Sequence, residues 1–72
     1  MSEANSNPLH IYEPLLLGKI FAVAQAVAAK KGIFLRKVCI DGVDQAMSLE
    51  VRPDRMNVAV VDNIITELIS WG

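Results

Sequence analysis

The sequence predicts an α+β fold: a single small domain with one helix packed on a small mixed β-sheet, and a long extended loop in the connection between strands. Three observations carry this. Leu17, Ile20, Phe21, Ala24, Val27 and Ala28 recur at i, i+3, i+4 spacing, the period of a helix with one apolar face. Three runs rich in β-branched and apolar residues follow: Ile33 to Ile40, Arg55 or Met56 to Val61, and Ile64 to Ile69 or Ser70. Asp62-Asn63, between the last two, is a two-residue hairpin signal, because Asn tolerates the positive φ of a type I′ turn.

Taken in order, residues 1–8 are small, polar and end in Pro8, and they read as a disordered tail ahead of a domain over 9–72. Leu9 to Leu17 is apolar and interrupted by Pro14, which predicts an extended arm against the core, with His10 exposed on it. Gly18-Lys19 leads into the helix, whose opposite face carries Lys19, Ala22, Ala26, Ala29 and Lys30. Lys30 and Lys31 suit the negative end of a helix dipole, and Gly32 supplies the stop. Asp41-Gly42 ends the first strand. The run Val58 to Val61 predicts a mostly buried second strand, Trp71 a seal at the core edge, and Cys39, between Val38 and Ile40, a buried thiol.

Composition narrows the function. The chain has 72 residues, formal charge −1, one cysteine and one histidine. A near-neutral chain has no basic field to draw nucleic acid or an anionic membrane, and Lys30-Lys31 and Arg36-Lys37 are short pairs without interleaved aromatics. One cysteine excludes an intrachain disulfide and a cysteine-based zinc cluster. Asp41, Asp44, Asp54 and Asp62 lack calcium-loop spacing, and no Gly-rich phosphate loop is present, so no metal or cofactor is expected. No two catalytic groups are spaced to cooperate, so the chain is not expected to be an enzyme. The N-terminus lacks the charged and apolar regions of a signal peptide, which makes the chain as written cytoplasmic by expectation. The longest uncharged stretch, Ile20 to Ala29, spans ten residues where a membrane crossing needs roughly 20. A binding module is the expected class.

The connection from Asp41 to Arg55 is too long to be a simple turn, and loops of its length are usually functional or disordered. Its composition is not that of disorder, since Val43, Ala46, Met47, Leu49 and Val51 are apolar. From Met47 to Arg52 apolar and polar residues alternate strictly, and Pro53 pushes Arg52 into the extended region. Two readings follow. The segment is an edge strand with Met47, Leu49 and Val51 facing the core. Or it is an exposed extended loop over about 43–52 that presents Leu49 to a partner's pocket through strand-like main-chain bonding. Periodicity does not separate them.

Pro14-Leu15-Leu16-Leu17-Gly18-Lys19, the helix after it, and Glu50-Val51-Arg52-Pro53-Asp54-Arg55 recur at nearly the spacing found in the potato type I serine protease inhibitors. The Arg-Pro-Asp-Arg-Met-Asn-Val run at 52–58 resembles even more closely the peptidase inhibitor I78 family, which includes fungal elastase inhibitors. Gly72 after the last strand fits both, and the resemblance covers about residues 12–72. It implies a substrate-like inhibitor of subtilisin-, chymotrypsin- or elastase-type serine proteases, whose loop enters the active site and is cleaved slowly or reversibly. Matched residue by residue, the resemblance makes Met47, Ser48, Leu49, Glu50 and Val51 the reactive-site loop. Leu49 stands before the scissile bond and Glu50 after it. It makes Arg55 the internal brace, with Arg52 and Asn57 beside it. Plant members carry a second bracing arginine where this chain has Asn57, a serine helix cap where it has Ile20, and an aromatic where it has Glu13 next to Tyr12. The competing class is a non-inhibitory interaction module of the same fold, with a homo-oligomer joined through sheet edges or the apolar arm as one form of it.

Overall fold

The computed structural model describes residues 8–47 and 50–72. The tail expected over 1–8 lies outside them apart from Pro8, as do Ser48 and Leu49.

The N-terminal segment is helical, not an extended arm. A 3₁₀ turn over Leu9–Tyr12 runs into α1, Glu13–Leu16, with Pro14 in its first turn. At that position the missing proline N–H removes no intrahelical bond and the fixed φ suits a helix start, so Pro14 sits in a helical turn where an extended arm was expected. Leu16 is buried in the core. The chain then leaves the helix at Leu17 and turns through Gly18 at φ 79°.

Helix α2 spans Phe21–Ala29, starting later than the apolar pattern from Leu17 suggests. Residues 18–21 instead lie along the last strand. Gly18 N–H donates to the Ile65 carbonyl at 2.8 Å, Ile65 N–H to Lys19 at 3.0 Å, and Phe21 N–H to Asn63 at 2.8 Å. That last bond satisfies an orphan donor at the helix start, which is why Ile20 can hold the N-cap position without a capping side chain. Ala24 and Ala28 face the sheet fully buried, and their small side chains let the helix sit close.

Gly32 at φ 74° ends the helix, and Ile33 N–H reaches back to the Ala28 carbonyl at 3.0 Å. A Cβ added at residue 32 meets nothing within 4 Å, so only backbone conformation opposes a side chain there. Gly32→Ala should therefore lower stability by about 1–2 kcal/mol, read as an earlier urea midpoint with an unchanged slope. A midpoint that does not move would mean the left-handed turn is not fixed.

The strands are β1, Phe34–Ile40; β2, Val43–Asp44; β3, Arg55–Val61; and β4, Ile64–Trp71. They form one mixed sheet in the order β2-β1-β3-β4. β1 and β3 are parallel, with Arg36 opposite Asn57 and Cys39 opposite Ala59 across a bulge at Val38. β3 and β4 form the expected antiparallel hairpin, with Asp62 and Asn63 at φ 51° and 65°. Asp41-Gly42, expected only to end a strand, is a second turn of this kind at φ 51° and 82°, and it folds β2 back on β1. Asp41 Oδ1 accepts the Asp62 N–H at 2.8 Å and ties the two turns together.

The core lies between the helices and one sheet face, where Leu16, Ala24 and Ala28 meet Met56, Val58, Val60 and Ile65. Trp71 packs against its edge and meets the Tyr12 ring edge-on at 5.7 Å. Met56 through Val60 are all buried, as expected of a central strand. Cys39 is only half-buried: the bulge sets it opposite Ala59, beyond the main core, so its apolar neighbours in sequence are not its surroundings.

Candidate functional site: the 45–55 connection and its clasp

The connection from β2 to β3 is pinned at both ends to β1. Gln45 N–H donates to the Val38 carbonyl at 2.9 Å, and Phe34 N–H donates to the Asp54 carbonyl at 2.9 Å. Between these anchors, residues 45–47 and 50–52 belong to no helix or strand. Met47 is 54% exposed and Val51 78%, so neither faces the core as an edge strand would require. Alternation marks an extended backbone but not what its apolar side chains meet, and here those of Met47 and Val51 meet solvent. Ser48 and Leu49, the centre of the expected reactive site, lie outside the described residues. Glu50 is exposed.

Arg55, at the start of β3, reaches back over this segment. Its Nη2 donates to the Glu50 carbonyl at 2.8 Å and to the Gly72 carbonyl at 2.9 Å, and its Nε donates to Gly72 at 3.2 Å. Gly72 N–H returns a bond to the Arg55 carbonyl at 2.7 Å. The Arg52 N–H also points at Gly72 O, at 3.4 Å, and the Arg55 N–H closes a Pro53-Asp54 turn on Arg52 O at 3.2 Å. One guanidinium thus links segment 50–55 to the end of β4, and bonds from a charged donor are stronger than neutral ones.

The other two expected braces behave differently. The Arg52 side chain is half-exposed, and its ion pairs among the described residues are long, 3.7 Å to Glu50 and 3.8 Å to Asp54. Pairs of that kind contribute about 0–1 kcal/mol. Arg52 takes part in the site through its backbone. Among the described residues, the Asn57 side chain bonds Arg36 and Ser70 and not the connection. It is buried at 6% exposure under the site, where its Oδ1 accepts Arg36 Nε at 2.9 Å and its Nδ2 donates to Ser70 Oγ at 3.0 Å.

Arg36, read from the sequence only as half of a short basic pair without interleaved aromatics, belongs to this site. Its Nη2 donates to the Gly72 carbonyl at 3.1 Å while its Nε holds Asn57. Its neighbour Lys37 lies over the Phe21 ring at 4.7 Å on the other face. The only sequence signal for Arg36 was strand alternation, which sends it opposite Leu35, and that needs the β1/β3 register before it becomes a contact.

The Gly72 carbonyl is therefore a hub, receiving the Arg36, Arg55 and Arg52 donors. Such an arrangement can fix an extended backbone. Among the described residues no group of three or more His, Cys, Asp or Glu is disposed to hold a metal ion. No helix among them is long and apolar enough to cross a membrane. Comparison with protein-family models, with curated proteins and with solved structures found no match to this chain.

Proposed function

We propose that this protein is a serine protease inhibitor that offers segment 43–52 to the active site of a subtilisin-, chymotrypsin- or elastase-type enzyme, with Leu49 before the scissile bond and Glu50 after it. The observation that carries the reading is the Arg55 Nη2 bond to the Glu50 carbonyl at 2.8 Å. The resemblance of the 50–58 run to potato type I and I78 inhibitors points the same way.

The chemistry follows from which fragment Arg55 holds. When the protease serine attacks the Leu49 carbonyl, the Leu49–Glu50 bond breaks, the acyl group stays on the serine oxygen, and the Glu50 nitrogen becomes the leaving amine. In an ordinary peptide that amine diffuses away and water hydrolyses the ester. Here Glu50 is tethered by its own carbonyl to Arg55, and Arg55 to Gly72, so the amine remains beside the ester. Religation then competes with hydrolysis, because well-held groups reach effective molarities of about 10⁵–10⁸ M. Holding the segment before binding also lowers the ordering cost, about 0.5–1.5 kcal/mol per immobilised side chain.

The anchors support a presented segment. Nine steps of chain from Gln45 to Asp54 can span about 30 Å. Their bonding partners, Val38 and Phe34, are four residues apart on β1, about 13 Å. The surplus length is free to stand off the sheet.

Titrating subtilisin, chymotrypsin, elastase and trypsin with the purified protein, then locating any cleavage by mass, tests the reading. The expected result is stoichiometric loss of activity of at least one of the first three, with slow cleavage confined to Leu49–Glu50. Full activity throughout would reject inhibition. A second reading, a non-inhibitory binding module, draws on one observation: Ile20, Val23 and Ile64 are exposed apolar residues, and Ile20 pairs with Ile64 across a bridge. Sizing at several concentrations separates the two, since a tight dimer that occludes residues 45–52 favours the module.

A further inference from the structure

We infer that Arg36 is a positioning residue of the clasp: from β1 it fixes the Gly72 oxygen on which Arg55 is aimed. The inference rests on the inhibitor reading for its purpose, though the geometry is independent of it.

The side chain is doubly anchored. Nε is held by Asn57 Oδ1 at 2.9 Å, and Asn57 is itself oriented by Ser70 Oγ at 3.0 Å, so three neighbouring strands set the angle of one guanidinium. The remaining arm, Nη2, meets Gly72 O at 3.1 Å. A fork bound at two points has little freedom left, which is the property that separates arginine from lysine in such a role. Asn57 is 6% exposed, and its amide oxygen holds Arg36 while its amide nitrogen bonds Ser70, so this buried polar group orients Arg36.

The clasp needs this support. Gly72 lies just beyond the end of β4, and it is held there by its N–H bond to Arg55 O and by the donors that meet its oxygen. Arg55 alone would have to fix Gly72 and be fixed by it. Arg36 breaks that circularity, because its own orientation comes from Asn57. Two guanidinium groups on one oxygen also repel each other. The arrangement persists because each is tied elsewhere, Arg36 to Asn57 and Arg55 to Glu50.

Amide exchange gives a readout that needs no protease, since the Arg52 and Gly72 N–H groups sit in the clasp. In Arg36→Ala both amides should exchange about ten-fold faster, while Val58 in the core follows global stability only. Cleavage between 45 and 54 by subtilisin should accelerate by a similar factor. In an Arg55→Ala background the same substitution should change cleavage less than two-fold, because both side chains act through one oxygen. Arg36→Lys, which keeps the charge and stem but not the fork, should give an intermediate loss, and it carries the test if the alanine variant does not fold.

Unchanged exchange at Arg52 and Gly72 in a folded variant overturns the inference, as does full additivity with Arg55→Ala. Slower cleavage would also overturn it, because relief of repulsion would then outweigh the lost support. Faster exchange in Arg36→Ala, with a wild type that inhibits no protease, keeps the clasp and rejects the inhibitor reading. Wild-type inhibition with no response to Arg36 does the reverse.

Discussion

If segment 43–52 inhibits a protease as proposed, replacing Arg55 with Ala should turn the protein into a substrate, raising the rate at which the target protease cuts the loop by about 100-fold. The magnitude follows from what is removed. Three charge-assisted contacts disappear, one to Glu50 and two to Gly72, and such bonds contribute about 1.5–3 kcal/mol each when they do not share a donor or acceptor. These do share, so their sum overstates the loss, and 100-fold corresponds to about 2.7 kcal/mol. The fold should survive, because Arg55 lies at the start of β3 and its guanidinium is no part of the apolar core. Circular dichroism and the thermal midpoint establish that first. Single-turnover cleavage by subtilisin with mass detection then measures the rate, and the ratio of intact to cut chain at equilibrium measures religation. Faster cleavage with a shift toward cut chain is the expected pair. A cleavage rate equal to wild type, in a folded variant, would remove the tether from the mechanism.

How much of this was legible in the sequence depended on whether the deciding contact was local. Helix α2, the Asp62-Asn63 turn and buried β3 could be read because periodicity and turn chemistry act over a few residues. Pro14 was misjudged because a proline can start or stop a helix, and which one depends on whether helical residues follow it. The helix began at Phe21 because residues 18–21 found partners on β4. That competition is tertiary, and no window of local sequence contains it. Asp41-Gly42 carried a readable hairpin signal, but the two-residue strand it introduces is too short to announce itself.

The site divides along the same line. Arg55 was singled out only through the family resemblance carried by the distinctive Arg-Pro-Asp-Arg run; its bonds reach Glu50, five residues away, and Gly72, 17 away. Arg36 stands 21 residues from Asn57 and 36 from Gly72, and it comes to the site only through a parallel register with a bulge. Asn57 was expected to brace the loop directly; among the described residues its side chain bonds Arg36 and Ser70, beneath the site.

On the proposed function, Leu49→Lys should redirect inhibition toward trypsin-like enzymes, the largest change in specificity expected of any single substitution. A protease that accepts a large aliphatic side chain has an apolar primary pocket, and seating an ammonium there without a partner is costly. A trypsin-like pocket carries a carboxylate at its base, which pairs with the lysine and has nothing to offer a leucine. Discrimination therefore runs in both directions, and the combined shift in preference should be about 10³-fold or more. The clasp should be untouched, because the bond that tethers the leaving side is made by the Glu50 backbone and not by a side chain at 49. That separation makes the experiment informative alongside Arg55→Ala: one substitution changes which enzyme is engaged, the other how long the engaged loop stays whole. Titration of trypsin and chymotrypsin with both proteins measures the exchange. If the variant inhibits the same enzymes with the same stoichiometry as wild type, Leu49 is not the residue in the primary pocket, and the scissile bond must be sought elsewhere between 45 and 52.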